Sequence, residues 1–182
     1  MGAIVAVVGM TGSGKSVVTD FFIAKGYFRV YFGGITMDVL KERNLEVNEA
    51  NERKVRESLR EEYGMAAYAK LNVLKIIEFS KKGNVVLDGL YSWEEYLVLK
   101  SEFPKMVVIS VYASPKTRYE RLAKRYIRPL SNEQAKSRDH SEIENLHKAG
   151  PIAIADYTLV NESSIEYIKE ILEKIYGELT NV

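Results

Sequence analysis

Gly9-Met10-Thr11-Gly12-Ser13-Gly14-Lys15-Ser16 decides the reading of this chain. The stretch fits the pattern GxxxxGK[ST]. An apolar run, Ile4–Val8, leads into it, and an apolar helical pattern, Lys15–Lys25, leads out and stops at Gly26. A strand, loop and helix of this kind suit phosphate for physical reasons. Backbone N–H groups must converge on phosphate oxygens, and side chains would block them; Gly9, Gly12 and Gly14 carry none. The helix start adds unpaired N–H groups and the positive end of its dipole. Thr11 and Ser13 complete the loop. Lys15 supplies a point charge for the β- and γ-phosphates, and Ser16 a hydroxyl ligand for Mg²⁺. The expected cofactors are therefore ATP and Mg²⁺. The loop specifies a nucleotide but not a reaction, because switches, motors and phosphate-transferring enzymes all use it.

Outward from the loop, five apolar runs alternate with helical patterns: Ile4–Val8, Phe28–Phe32, Val85–Leu87, Met106–Val111 and Tyr157–Val160. Continuous Val/Ile-rich runs suit strands buried on both faces, and helices between them imply a parallel sheet covered on both sides. Helix punctuation agrees. Ser92 with Glu95, Ser131 with Gln134 and Ser163 with Glu166 read as capping boxes, and Ser114-Pro115 as an N-cap and first turn. Pro104 ends the helix begun at Trp93, and Gly177 is expected to end the last helix at Tyr176. Helices over about 48–63 and 65–81 fill the long connection between the second and third strands.

The bulk composition narrows the rest. The 182 residues suit one domain, and 26 basic against 25 acidic side chains leave a net charge of +1. Global charge therefore favours neither nucleic acid nor an anionic membrane. The chain has no cysteine and only two histidines, which excludes disulfides and cysteine-based zinc sites. No apolar run reaches the ~18 residues of a membrane span, and the N-terminus lacks a basic segment and a cleavage site. A cytoplasmic location is expected, with no membrane or nucleic-acid partner; the oligomeric state is open.

Further constellations bear on the reaction. Asp88, at the C-terminal end of the third run, would lie at the ligand edge of such a sheet. There it would hold Mg²⁺ through water or orient an attacking hydroxyl, or else cap a turn before Gly89. Arg53, Arg56 and Arg60 share one helix face beside the apolar stripe Val55, Leu59 and Tyr63. Arg56 and Arg60 are candidate acceptor anchors, with a solvated charge ladder as the plainer reading. From Arg118 to Arg138 the chain is densely basic, as a lid over phosphates would be. Arg121, Arg125, Arg128 and Arg138 are its candidate phosphate contacts, while Arg118 and Lys124 read as capping or solvated-face residues. No convincing aromatic platform for RNA is interleaved. Asn161, at the end of the last strand, marks a possible place for a nucleotide base or simply starts a turn.

Taken together, Gly9–Ser16, Leu59-Arg60-Glu61-Glu62-Tyr63-Gly64, Asp88-Gly89, Ser114–Leu122, Ala155-Asp156-Tyr157 and Val160–Ser164 resemble the nucleotide-kinase branch of P-loop proteins. The nearest look is to adenylate-kinase-related and dephospho-coenzyme A kinase-like proteins, including an archaeal group. The resemblance spans nearly the whole chain. It implies a single P-loop kinase domain over 1–182, of the three-layer α/β kind. Five parallel strands in the order 2-3-1-4-5 would carry an acceptor-binding insertion at about 36–82 and a short lid at about 125–140. It also implies that Asp38 contacts or activates the acceptor hydroxyl, and that Arg125 and Arg138 bracket the transferred phosphoryl group. Many relatives carry an arginine soon after the Asp-Gly pair; here Asp88-Gly89-Leu90-Tyr91 has none before Arg118. The expectation is an ATP-dependent kinase whose small acceptor is dephospho-coenzyme A or a nucleoside monophosphate. Lys15, Asp88, Asp38, Arg125 and Arg138 would serve the transfer. The alternative is a regulatory protein that binds ATP without transferring its phosphate.

Overall fold

The structure, a computed structural model, describes residues 1–127 and 129–180. β1 (Ile4–Val8) is buried along its whole length and lies at the centre of a five-stranded sheet. β3 (Val85–Asp88) and β4 (Val107–Tyr112) flank it, with β2 (Phe28–Tyr31) and β5 (Tyr157–Val160) outside. Every pairing is parallel, and the order is β2-β3-β1-β4-β5. Alternate residues of β1 serve the two faces, as strand geometry requires. Ile4, Ala6 and Val8 pack with Tyr68, Ile76 and Leu99. Val5 and Val7 pack with Val18, Phe22 and Leu172.

Helices cover both faces. α1 (Lys15–Ala24) and α9 (Ile165–Thr180) bury their apolar stripes on the second face. α2 (Gly34–Glu42), α3 (Glu49–Tyr63) and α4 (Ala67–Lys82) fill the connection between β2 and β3, and α5 (Trp93–Glu102) lies beside α4. α6 (Pro115–Ala123), α7 (Asn132–Glu144) and the short α8 (Ala149–Ala153) follow β4. No helix among the described residues is long and apolar enough to cross a membrane.

The expected strands fall within a residue or so of those observed. α2 and α8 were not anticipated, and the lid region is largely the regular helix α7. The last helix departs in two ways. It is capped by Ser164, whose hydroxyl accepts the Tyr167 N–H at 3.3 Å, rather than by Ser163. It also runs through Gly177 to Thr180. Buried Ile168, Leu172 and Ile175 hold it on the sheet, and that outweighs the ~1 kcal/mol cost of an interior glycine.

Candidate active site

The loop between β1 and α1 has the backbone that its glycines permit. Gly9, Gly12 and Gly14 take φ of +150°, +85° and +92°. A Cβ on Gly9 would stand 2.4 Å from the Val111 carbonyl oxygen, and one on Gly14 2.1 Å from Asn161 Nδ2. Gly14 is also the N-cap of α1. Lys15 Nζ folds back on the loop, donating to the carbonyls of Gly9 at 2.9 Å and Met10 at 3.2 Å. Burial, helped by the charges of Lys148 and Arg125, pushes the Lys15 ammonium down to about 7, against the pull of Glu142 and Asp88. Ser16 is exposed at the first turn of α1.

An anion already sits on this loop, supplied by the chain. The Thr11 N–H donates to Glu142 Oε2 at 3.3 Å, and the Thr11 hydroxyl donates to Glu142 Oε1. Lys148, 1% exposed, meets the same carboxylate at 2.9 Å, and Arg138 Nε meets it at 3.3 Å. Burial would raise the Glu142 carboxyl, but Lys148, the Thr11 hydroxyl and Arg138 together hold it at about 2. The glycine cradle, with the Thr11 N–H and hydroxyl and Lys148 that now hold the carboxylate, is a donor set that fits a triphosphate.

Arg118 is not a solvated-face residue. It is 4% exposed and grips Asp139 of α7 with two bonds, of 2.7 and 2.6 Å. It also donates to the Thr11 carbonyl at 3.1 Å, so it ties α6, α7 and the loop together. Arg125, beyond the end of α6, is held below its usual range by burial and by Arg138. On the other side of the loop, Arg121 Nη2 donates to the Asn161 carbonyl at 2.9 Å, and Asn161 Nδ2 to the Ser13 carbonyl at 2.8 Å. Ser13 Oγ and Arg121 Nη1 are buried without a hydrogen-bond partner among the described residues.

Asp88 ends β3 and is paired with Arg29 of β2, whose Nε reaches Oδ2 at 3.1 Å and whose Nη2 bonds the same oxygen. Toward the insertion, the Arg60 guanidinium lies 5.5 Å over the Tyr68 ring, and Tyr68 shares a 2.6 Å hydrogen bond with Thr36 of α2. Arg56 pairs with buried Glu52 at 3.4 Å. Tyr91 stands edge-on to Tyr68 at 6.5 Å, with Lys148 Nζ 5.4 Å from its ring. The Tyr91 N–H donates to Oε2 of fully buried Glu95 at 2.8 Å.

Most residues singled out from the sequence thus surround one region, but Asp38 does not join them. Thr36 and Leu40 turn inward from α2. Asp38, two residues from each and roughly 200° around the helix, is exposed. Arg128 lies outside the described residues. Sequence reasoning missed Arg29, Glu142 and Lys148, and saw in Glu95 only a capping residue. One signal existed, a lone arginine inside the apolar run Phe28–Phe32. Glu142 and Lys148 carry no local mark, because they lie among many other charged residues and the loop residue that Glu142 meets, Thr11, is far away in sequence.

This fold and loop define a P-loop NTPase domain of the kinase type. The AAA domain family matches residues 5–147. A UPF0200 protein of Thermococcus onnurineus (strain NA1) is 36% identical over 96% of this chain and 99% of its own. Shikimate kinase from Bacteroides thetaiotaomicron superposes with a TM-score of 0.61 at 13% identity, covering 96% of this chain and 98% of its own. A gluconokinase from Sinorhizobium meliloti 1021 does so with a TM-score of 0.53 at 14% identity, covering 97% of each. The chain belongs to the UPF0200 family of AAA-domain proteins.

Proposed function

We propose that this protein is an ATP- and Mg²⁺-dependent phosphotransferase acting on a small, nucleotide-like acceptor such as dephospho-coenzyme A or a nucleoside monophosphate. The observation that carries this reading is that Lys148 and Arg138, two cations beyond Lys15, converge on the carboxylate of Glu142 that the loop holds at Thr11. Extra positive charge where the terminal phosphate would lie suits a reaction in which charge builds up on the transferred group. The kinase folds among the structural neighbours support the same class.

In this reading the loop N–H groups and Lys15 bind the phosphates, Lys15 exchanging the Gly9 and Met10 carbonyls for phosphate oxygens. Arg121 and Asn161 border the rest of the nucleotide. Arg125 and Arg138 close over the transferred group and exclude water. Asp88, positioned by Arg29, orients the acceptor. Ser16 and Asp88 are the residues that would hold Mg²⁺. When bound, the ion neutralises charge between the phosphates.

Glu142 favours a second reading. Nucleotide binding would displace this carboxylate from Thr11 and so move α7, as a regulatory ATP-binding protein requires. An acceptor screen separates the two. With Mg·ATP, the purified protein is offered dephospho-coenzyme A, AMP, CMP, dCMP, UMP, GMP and simple sugars, and ADP is followed. One acceptor raising turnover by orders of magnitude is the expected result. Slow ADP release, unchanged by every acceptor, favours the regulatory reading.

A further inference from the structure

We infer that Glu95 and Arg60 form the acceptor subsite, and that it takes a hydroxylated organic anion, with a hydroxyl donating to Glu95 and an anionic oxygen received by Arg60. The inference rests on the phosphotransferase reading above and narrows its acceptor.

Glu95 stands in the first turn of α5, where a glutamate ordinarily completes a cap at the surface. That role accounts for one oxygen. Oε2 accepts the Tyr91 N–H, and Ser92 Oγ accepts the Glu95 N–H at 3.0 Å. The other oxygen, Oε1, is buried with no hydrogen-bond partner among the described residues, in a side chain 0% exposed. Leaving such an atom unbonded is costly, and a cap gains nothing from it. Arg60, at the end of α3, repeats the pattern with opposite sign, for its Nε is also buried without a partner. No hydrogen bond joins Arg60 to Glu95 among the described residues, so the two do not satisfy one another.

The walls connect them. Arg60 covers the Tyr68 ring, Tyr68 meets Tyr91 edge to face, and the Tyr91 backbone holds Glu95. Lys148 stands over Tyr91 while bonded to the Glu142 carboxylate that occupies the Thr11 N–H. A molecule between Arg60 and Glu95 would therefore lie one side chain away from the phosphate loop. Burial pushes the Glu95 carboxyl up to about 7, while the N–H groups of Tyr91 and Ser92 and the charges of Arg60 and Lys148 draw it down. An unmatched arginine donor and, above about pH 7, an unmatched carboxylate acceptor select an anion that also carries a hydroxyl. A plain sugar lacks the first group and a simple acid the second.

The test is calorimetric binding to the full chain loaded with Mg²⁺ and a non-hydrolysable ATP analogue. The probes are ribose 5-phosphate and gluconate as hydroxylated anions, ribose as the uncharged polyol, and inorganic phosphate and acetate as anions without carbon-borne hydroxyls. Binding of ribose 5-phosphate or gluconate above the three controls is expected, and which of them binds tells a phosphate anion from a carboxylate. Arg60→Gln should weaken that probe by roughly 10–100-fold. Glu95→Gln, which keeps an oxygen for the Tyr91 N–H, should weaken it comparably while leaving the affinity for the ATP analogue unchanged. Failure of every probe to bind, or equal binding by both folded variants and the parent, overturns the inference. If an acceptor stimulates turnover but its KM is the same in both variants, the subsite is wrong and the phosphotransferase stands. If no acceptor stimulates turnover yet both variants lose the probe, the subsite stands and the phosphotransferase falls.

Discussion

The phosphate loop and the side-chain cluster around Tyr68 and Tyr91 adjoin, yet they are built by opposite rules. The loop is eight consecutive residues, Gly9 to Ser16, whose shape comes from backbone conformation. Much of it is satisfied within the chain, Thr11 by Glu142 and the Ser13 carbonyl by Asn161. The cluster is assembled from Thr36, Arg60, Tyr68, Tyr91 and Glu95, carried by α2, α3, α4, the segment after β3, and α5. It leaves one donor and one acceptor unmatched. A site made by backbone can be generic and held ready by a surrogate anion. A site made by side chains from many elements carries the choice of ligand.

Breaking the loop should have the largest effect. Lys15→Ala removes the charge but only two hydrogen bonds to loop carbonyls. Turnover should fall roughly 10³-fold or more with the thermal midpoint little changed. Near-parental turnover would remove the loop from the reaction altogether.

Glu142→Gln tests whether the loop's stand-in anion is structural. The substitution strands Lys148, 1% exposed, without its carboxylate, and a buried charge so abandoned costs about 3–5 kcal/mol. Urea unfolding should show that loss, and adding Lys148→Met should recover much of it. No recovery would mean that the Thr11 bonds, and not the ion pair, carry the stability.

The two regions should also respond to pH in opposite directions. Glu142 is held at about 2, below its ordinary 4.5, so its contribution is complete above about 4.5 and lost as pH falls toward 2. Glu95 keeps its proton to about 7 when folded but releases it near 4.5 when unfolded, so stability from this group falls as pH rises between those values. Unfolding midpoints across pH should lose the acid limb in Glu142→Gln and the fall between 4.5 and 7 in Glu95→Gln. If both variants keep the parental profile, other groups set it.

The smallest effect is expected at Asp38. Exposed on the outer side of α2, its replacement by alanine should change stability by less than about 0.5 kcal/mol and leave turnover within a few-fold. A collapse in turnover would mean that α2 rolls inward when the acceptor binds.

What the sequence disclosed follows the same division. Gly9–Ser16 and the five strand runs were legible because the residues that determine them are neighbours in the chain. The sheet order came from the resemblance, and the structure has it. Arg118 was misread because its partners, Thr11 and Asp139, stand far from it in sequence. The Glu142–Lys148 pair was invisible because neither residue breaks a local pattern. Asp38 was implied by the resemblance alone, and it stands exposed on α2.

The central position of β1 sets a schedule for synthesis. Its first strand partner is β3, where Ile4 meets Val85, and its second is β4, where Val5 meets Val107. At 5–20 residues per second, the ribosome needs roughly 4–16 s to make the intervening chain. Through that interval Ile4–Val8, the most apolar strand of the protein, has no edge to join, and the phosphate loop behind it has no frame. Asn161, which braces the loop at Ser13, arrives later still. Within this domain the nucleotide loop is thus translated before the elements that frame it, so the nascent chain is expected to gain affinity for nucleotide only after Asn161 has emerged.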